Sequence, residues 1–364
     1  MTADRSTPAR PAATPTPGAA TSPLLDIEDL AVHFHGSRSL LAAVRRRPAS
    51  VVRAVDGVDL SIGRGESVGL VGESGSGKST LARALVGLST PDAGHLRLDG
   101  EDLTSRRSMA QRRRLQMVFQ DPYSSLNPRM TVGQTLGELL RVHDVVPRSA
   151  VRARTTELLD LVGLPAQSAE RYPRNLSGGQ RQRVGIARAL ALEPEVAVAD
   201  EPVSALDVSV QASILTLLED LRRELGLTLL FITHNLAVVR HVCDRVAVMY
   251  LGRIVEVADT ESLFSDPQHP YTQALIRAAP RLRAARHEGA ALRGEPPGSI
   301  GIPSGCRFRT RCPRAEQVCA ERDPVLRTGS SAPAHRAACH FAWGDAPGRD
   351  APIVSPTGTP EGRP

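Results

Sequence analysis

The chain has 364 residues, room for one large domain with a smaller one or for two of similar size. Its 41% hydrophobic content is that of an ordinary globular protein and excludes disorder of the whole chain, while no run approaches the roughly 18 consecutive apolar residues that cross a bilayer. A net charge of +6, from 45 basic and 39 acidic residues, is too mild to demand a nucleic-acid partner. Lys78 is the only lysine, so 44 of the 45 basic side chains are arginines. An isolated ammonium among planar guanidinium forks implies a tight anion pocket that takes a compact point charge.

In chain order, residues 1–23 are rich in Thr, Pro and Ala and lack the apolar centre of a secretory signal, so a disordered tail and a cytoplasmic, thiol-reducing location are expected. Arginines gather at Arg45, Arg46 and Arg47, and again at Arg106, Arg107, Arg112, Arg113 and Arg114. Solvated helix faces beside acidic partners account for them more simply than an anionic surface does. Runs at 67–71, 115–119, 196–199 and 228–233 read as buried strands, and apolar periodicity at 78–88, 178–192, 209–225 and 236–243 reads as helices. This alternation predicts an α/β fold with a largely parallel sheet covered on both faces. Helical patterns without strand runs predict a helical insertion across 121–175, and 245–257 predicts a β-hairpin turning at Leu251 and Gly252. Beyond residue 282 the composition turns to Pro, Gly, Arg and Cys, which predicts a small appended module; 344–364 is a second tail.

After the strand at 67–71 come Gly72, Glu73, Ser74, Gly75, Ser76 and Gly77, then Lys78, Ser79 and Thr80 opening the next helix, the context a phosphate-binding loop requires. Its glycines let successive amides face a phosphate chain and the helix N-terminus adds positive potential. Lys78 reaches the outer phosphates and Ser79 is placed to hold Mg²⁺. Asp200 and Glu201 follow the run 196–199, at the strand end where ligands bind in such sheets. Asp200 is expected to act on Mg²⁺ through water and Glu201 to polarise the attacking water. Ser177, Gly178, Gly179 and Gln180 form another small-residue loop opening a helix, a second anion site. A chain with one phosphate loop has no use for another, unless the second caps a nucleotide held by a different molecule.

This order of motifs resembles the ATP-binding cassette (ABC) ATPases over residues 24 to about 257. There Leu176 to Gln180 matches the signature loop, Gln120 the Q-loop, Ser204, Ala205, Leu206 and Asp207 the D-loop, and His234 the switch histidine. The resemblance implies a nucleotide-binding domain over 24–258 with a helical signature subdomain at about 121–190 and an antiparallel β subdomain. It also implies ATP and Mg²⁺ as ligands, Gln120 as a further magnesium contact, Asp207 near the nucleotide, and an aromatic, matched by Phe34, stacked on the adenine. Segments 120–129, 171–173, 208–211, 248–256 and 269–272 are similar to the ATPase subunits of oligopeptide and dipeptide importers, with a C-terminal extension over 259–343. That kinship implies a second, different ATPase subunit, two integral-membrane permease subunits, an extracytoplasmic binding protein acting indirectly, and a place on the cytoplasmic face of the membrane. Nickel or oligosaccharide is the alternative cargo, and a soluble ATPase acting on nucleic acid or ribosomes the alternative class. Asn235 departs from the Asp common after the histidine, which would soften the polar network near the D-loop.

Cys306, Cys312, Cys319 and Cys339 are spaced C-x5-C-x6-C-x19-C. Three readings stay open: a [4Fe-4S] cluster, zinc with or without His340, or unligated thiols. The tail is similar to that of importer ATPases that include cluster-binding members.

Overall fold

The computed structural model describes residues 22–35, 51–121, 125–278, 297, 301–329 and 332–344. Apart from residues 22, 23 and 344, the two expected tails lie outside that set, as do Arg45, Arg46 and Arg47.

Among the described residues the strands are β1 (Leu25–His35), β2 (Val51–Ile62), β3 (Ser67–Val71), β4 (Ala93–Leu98), β5 (Glu101–Asp102), β6 (Leu115–Val118), β7 (Val196–Asp200), β8 (Thr228–Thr233), β9 (Arg245–Tyr250), β10 (Arg253–Asp259), β11 (Arg327–Gly329) and β12 (Ala332–Ala337). Helices are α1 (Lys78–Leu85), α2 (Met109–Arg114), α3 (Val132–Val142), α4 (Val151–Leu161), α5 (Gly178–Leu190), α6 (Val208–Leu225), α7 (Leu236–Val242), α8 (Thr260–Ser265), α9 (Pro270–Ala278) and α10 (Gln317–Glu321).

The continuous apolar runs become central strands because both faces of their sheet are covered: every residue of β3, β7 and β8 is buried. In the eight-stranded sheet the order is β11-β12-β10-β9-β3-β8-β7-β6, with β9, β3, β8, β7 and β6 mutually parallel. Side chains alternate between two cores with the strand period of two. Val196, Val198, Leu230 and Ile232 pack with β1, β2, β4 and α1 on one face. Ala197, Ala199, Leu229 and Phe231 pack with α3 to α7 on the other. β1, β2, β4 and β5 form a separate antiparallel sheet in the order β2-β1-β4-β5. Ala54 of its strand β2 lies against Gly77, the N-cap of α1.

Helix starts follow the sequence closely. Thr131 caps α3, with Gln134 returning the bond, and Ser177 and Gln180 do the same for α5. The β9–β10 hairpin turns at Leu251 and Gly252, both with positive φ (43° and 84°), the twist-matching turn for two paired strands.

The C-terminal segment corrects the sequence reading of an appended module. β12 pairs antiparallel with β10, with Glu256 opposite Ala337 and Val257 opposite Arg336, so β11 and β12 extend the main sheet. Fully buried Glu256 fixes this junction, accepting hydrogen bonds from Gln268 N (2.6 Å), His269 N (3.0 Å) and His335 Nε2 (2.7 Å).

In the described arginine cluster Arg106 and Arg112 are exposed, while Arg107, Arg113 and Arg114 are half-buried. Arg107 donates to the backbone oxygens of Leu103, Ala84 and Leu85, satisfying the end of α1, and Arg114 pairs with Glu195 and Glu101. No helix among the described residues is long and apolar enough to cross a membrane.

Candidate active site

Four adjacent parallel strands, β3, β8, β7 and β6, deliver their C-terminal ends to one place. The loop 72–77 leaves β3, His234 follows β8, Asp200 ends β7 with Glu201 next, and Gln120 lies two residues past β6. A cleft of about 680 Å³ opens there, lined by Phe34, Lys78, Ser79, Gln120, Glu201 and His234 among others.

Foreign backbone closes on the phosphate loop at Gly72 and Gly77, leaving neither room for a side chain. A Cβ on Gly77 would lie 2.0 Å from the Ala54 carbonyl oxygen, at φ +108°, and one on Gly72 2.2 Å from that of Met249. Lys78 is 5% exposed; its Nζ donates to Gly72 O and Glu73 O, each at 2.8 Å, and to Ser76 Oγ at 3.3 Å. Burial pulls its pKa down, against the carboxylates of Glu201, Asp200 and Glu73, which favour the ammonium. Ser79 Oγ donates to Asp200 Oδ1 at 3.2 Å, and burial pushes the Asp200 carboxyl above its ordinary range, helped by Glu201.

Glu201 joins the remaining strand ends. Its carboxylate receives Gln120 Nε2 at 3.1 Å and lies 3.1 Å from His234 Nδ1, so side chains following β6 and β8 meet on the one following β7. Its backbone is left-handed, φ 44°, a conformation uncommon outside glycine, and its N–H donates to Ile232 O at 2.9 Å. Phe34 stands half-exposed in the cleft wall and Thr80 also lines it.

Ser177, Gly178, Gly179 and Gln180 do not line this cleft. They sit at the start of α5 against the 204–210 segment, where a Cβ on Gly178 would meet Leu206 at 3.2 Å and one on Gly179 would meet Val210 at 2.6 Å. The two loops that the sequence singled out therefore do not share this cleft. Asp207 is exposed at the N-cap of α6 without a side-chain capping bond. Asn235 caps α7, its Oδ1 accepting from Ala237 N at 3.0 Å, a role that Asn and Asp fill equally well.

The sequence reading missed two contributors. Val52 and Ala54 of β2 form part of the cleft wall. Glu73, inside the phosphate loop, is held from behind by Tyr271 and Arg311 of the C-terminal segment. Nothing in the sequence spacing of Tyr271 or Arg311 pointed to the loop.

The metal expectation for the cysteines is not supported. Cys306, Cys312, Cys319 and Cys339 share one neighbourhood, yet the described residues include no group of three or more His, Cys, Asp or Glu arranged to hold a metal ion. Cys319 and Cys339 are buried in a small apolar cluster with Phe341 and Ala342, and burial pushes the Cys306 thiol up to about 12.

Comparison with known proteins fits this geometry. The ABC transporter family model matches residues 55–204, and that of the oligopeptide/dipeptide transporter C-terminal region matches 255–319. A Brucella ovis protein named for peptide import ATP binding is 49% identical over 87% of this chain and 98% of its own length. The oligopeptide transport ATP-binding protein AppF of Bacillus subtilis is 44% identical over 87% and 97%. A dimeric ATP-binding cassette solved in a post-hydrolysis state with ADP and Pi superposes with TM-score 0.57 at 28% identity, over 65% of this chain and 98% of that one. The cbiO1 subunit from Clostridium perfringens gives TM-score 0.56 at 29% identity, over 68% and 92%. With strand-end carboxylates, a closed phosphate loop and these relatives, the chain belongs to the ABC transporter family, as an ATPase bearing the oligopeptide/dipeptide transporter C-terminal region.

Proposed function

We propose that this ATPase energises import of oligopeptides or dipeptides, pairing head to tail with a second ATPase subunit of a different kind on the cytoplasmic face of a two-subunit membrane permease. The permease receives cargo from an extracytoplasmic binding protein. What supports this reading is that the Ser177 loop, which opens a helix with small residues as the Lys78 loop does, does not line the cleft that holds Lys78.

Lys78 and the amides of 74–79 take the β- and γ-phosphates of ATP, with Phe34 against the adenine. The donor set Ser79, Asp200 and Gln120, all oxygen-bearing and gathered at one side of the loop, suits Mg²⁺, a hard cation that keeps waters of its own and would neutralise phosphate charge when bound. Glu201 accepts a proton from water as its oxygen attacks the γ-phosphorus, and the bond to ADP breaks. His234 and Gln120, already on the same carboxylate, hold Glu201 and the water in line. Ser177 and the amides of 178–180 close over the nucleotide held by the partner's own phosphate loop, while Asp207 lies at the joint. Swinging such a pair from 1:99 to 99:1 closed requires about 5.5 kcal/mol of differential binding, within reach of bridging phosphates.

Gln120 stands where the helical region begins, and α5 is tied back to it: Arg188 donates to Ser125 O and lies 5.2 Å over the Phe119 ring. Nucleotide state at the cleft thus has a direct path to α3–α5, the surface proposed to dock on the permease. Affinity capture from membranes with mass spectrometry tests the assembly. Recovery of two permease chains, a second ATPase and a peptide-binding protein is expected; salt-sensitive retention of nucleic acid with no membrane chain would overturn it.

A further inference from the structure

Residue 73 of the phosphate loop is gripped from the side opposite the cleft. Its backbone N–H donates to Tyr271 Oη at 2.8 Å, and its carboxylate receives both terminal nitrogens of Arg311, at 2.7 and 3.0 Å. The Arg311 side chain is 5% exposed. It lies 5.9 Å over the ring of Tyr250, which packs on Tyr271 and Phe308 with centroids 4.6 and 5.3 Å away. The segment 306–312 is thus seated on an aromatic floor directly behind the loop. It is also anchored by Arg307, which donates to Leu251 O and pairs with Asp56.

Two electrostatic demands meet at this position. A loop built to bind a polyanion carries a carboxylate of its own, and a free carboxylate there would repel the triphosphate through a water-poor pocket. Two parallel hydrogen bonds from a guanidinium fork neutralise it and also fix its direction, which a single ammonium could not do. Consistently, Ser74, Gly75 and Gly77 line the cleft and Glu73 does not.

We propose that Arg311 is a positioning residue for ATP binding: by clamping Glu73 it sets the shape and charge of the phosphate loop, making the C-terminal segment part of the nucleotide machinery. This rests on the ATPase reading above, and the test separates the two. Full-length chain is titrated with a fluorescent ATP analogue and assayed for turnover. Arg311→Met is expected to weaken binding about tenfold, inside the usual 5- to 150-fold range of coupling between sites, raising KM with kcat within about twofold. Arg311→Lys should recover part of that loss. Glu73→Gln in the Arg311→Met background should restore at least about half of it, because the unpaired charge is gone; a merely structural arginine would show no such rescue. Unchanged affinity in Arg311→Met, or losses that simply add in the double variant, would overturn the proposal. Should Arg311→Met fail to fold, the same cycle run with Arg311→Lys and Glu73→Gln decides it: coupling supports the clamp and strict additivity refutes it. Lys78→Ala, carried in parallel, must lose affinity; if it binds normally, the failure lies with the nucleotide reading itself.

Discussion

Lys78 reaches its position only because Gly72 and Gly77 let two foreign carbonyls, from Met249 and Ala54, touch the loop. Gly77→Ala therefore has nowhere to place its methyl group, and about 1–3 kcal/mol of destabilisation is expected from the backbone conformation and overpacking. A lowered thermal midpoint together with lost ATP binding checks this. Removing the ammonium by Lys78→Ala should cost about 1.5–3 kcal/mol of charge-assisted bonding, roughly ten- to a hundredfold in ATP affinity by equilibrium titration. Glu201→Gln keeps the shape of the strand end while removing the base. Turnover is expected to fall about 10²- to 10⁴-fold with binding intact, and near-normal hydrolysis would take Glu201 out of the chemistry. The loop and both carboxylates were readable from their order after buried strand runs, Gln120 and His234 only through the family resemblance; the structure brings all of them to one sheet edge. The left-handed backbone of Glu201 was not readable, since nothing in its neighbours' composition announces it.

At the level of elements, strands and helices of the α/β core were legible wherever a buried run or a capping pair marked them, as at β3, β8 and α5. The antiparallel β1–β2 pair was harder, because bulges at Leu30 and His33 break its alternation. The 306–312 segment was opaque for a different reason. Its contacts lie with Asp56, Glu73, Tyr250 and Leu251, partners far away in the chain, so local pattern carries no signal of them. Asp56 shows how tightly it is sewn to β2. Burial alone would raise its carboxyl, but Arg307, His33 and Arg253 outweigh burial and leave the pKa below the ordinary 3.8. A carboxyl lowered on folding stabilises the fold above about pH 4, and that contribution fades as pH falls through the folded value. Asp56→Asn should thus cost about 2–3 kcal/mol at pH 7, where Arg307 is left buried without its counter-charge, and much less at pH 2. Denaturant titration at both pH values checks the difference; an equal loss at each would contradict it.

Across the whole molecule, the C-terminal region is an extension of the main sheet that braces the phosphate loop, and a metal-built module is not what the described side chains offer. Elemental analysis of purified protein is accordingly expected to find neither iron nor zinc at one equivalent or more, and stoichiometric metal would require the cysteines to rearrange. The larger architecture follows from one division of labour: a cleft that holds Lys78 and Glu201, and a separate surface that holds Ser177. On the proposed reading, such a chain completes its site only with a second ATPase subunit. The most direct test is a structure of the Glu201→Gln variant, loaded with ATP, bound to its partner ATPase. Lys78 Nζ and a signature serine from the opposite subunit should both lie within hydrogen-bond reach of the same γ-phosphate; a triphosphate enclosed by Lys78 and Ser177 of a single chain, or left uncovered on the side facing the partner, would contradict the account.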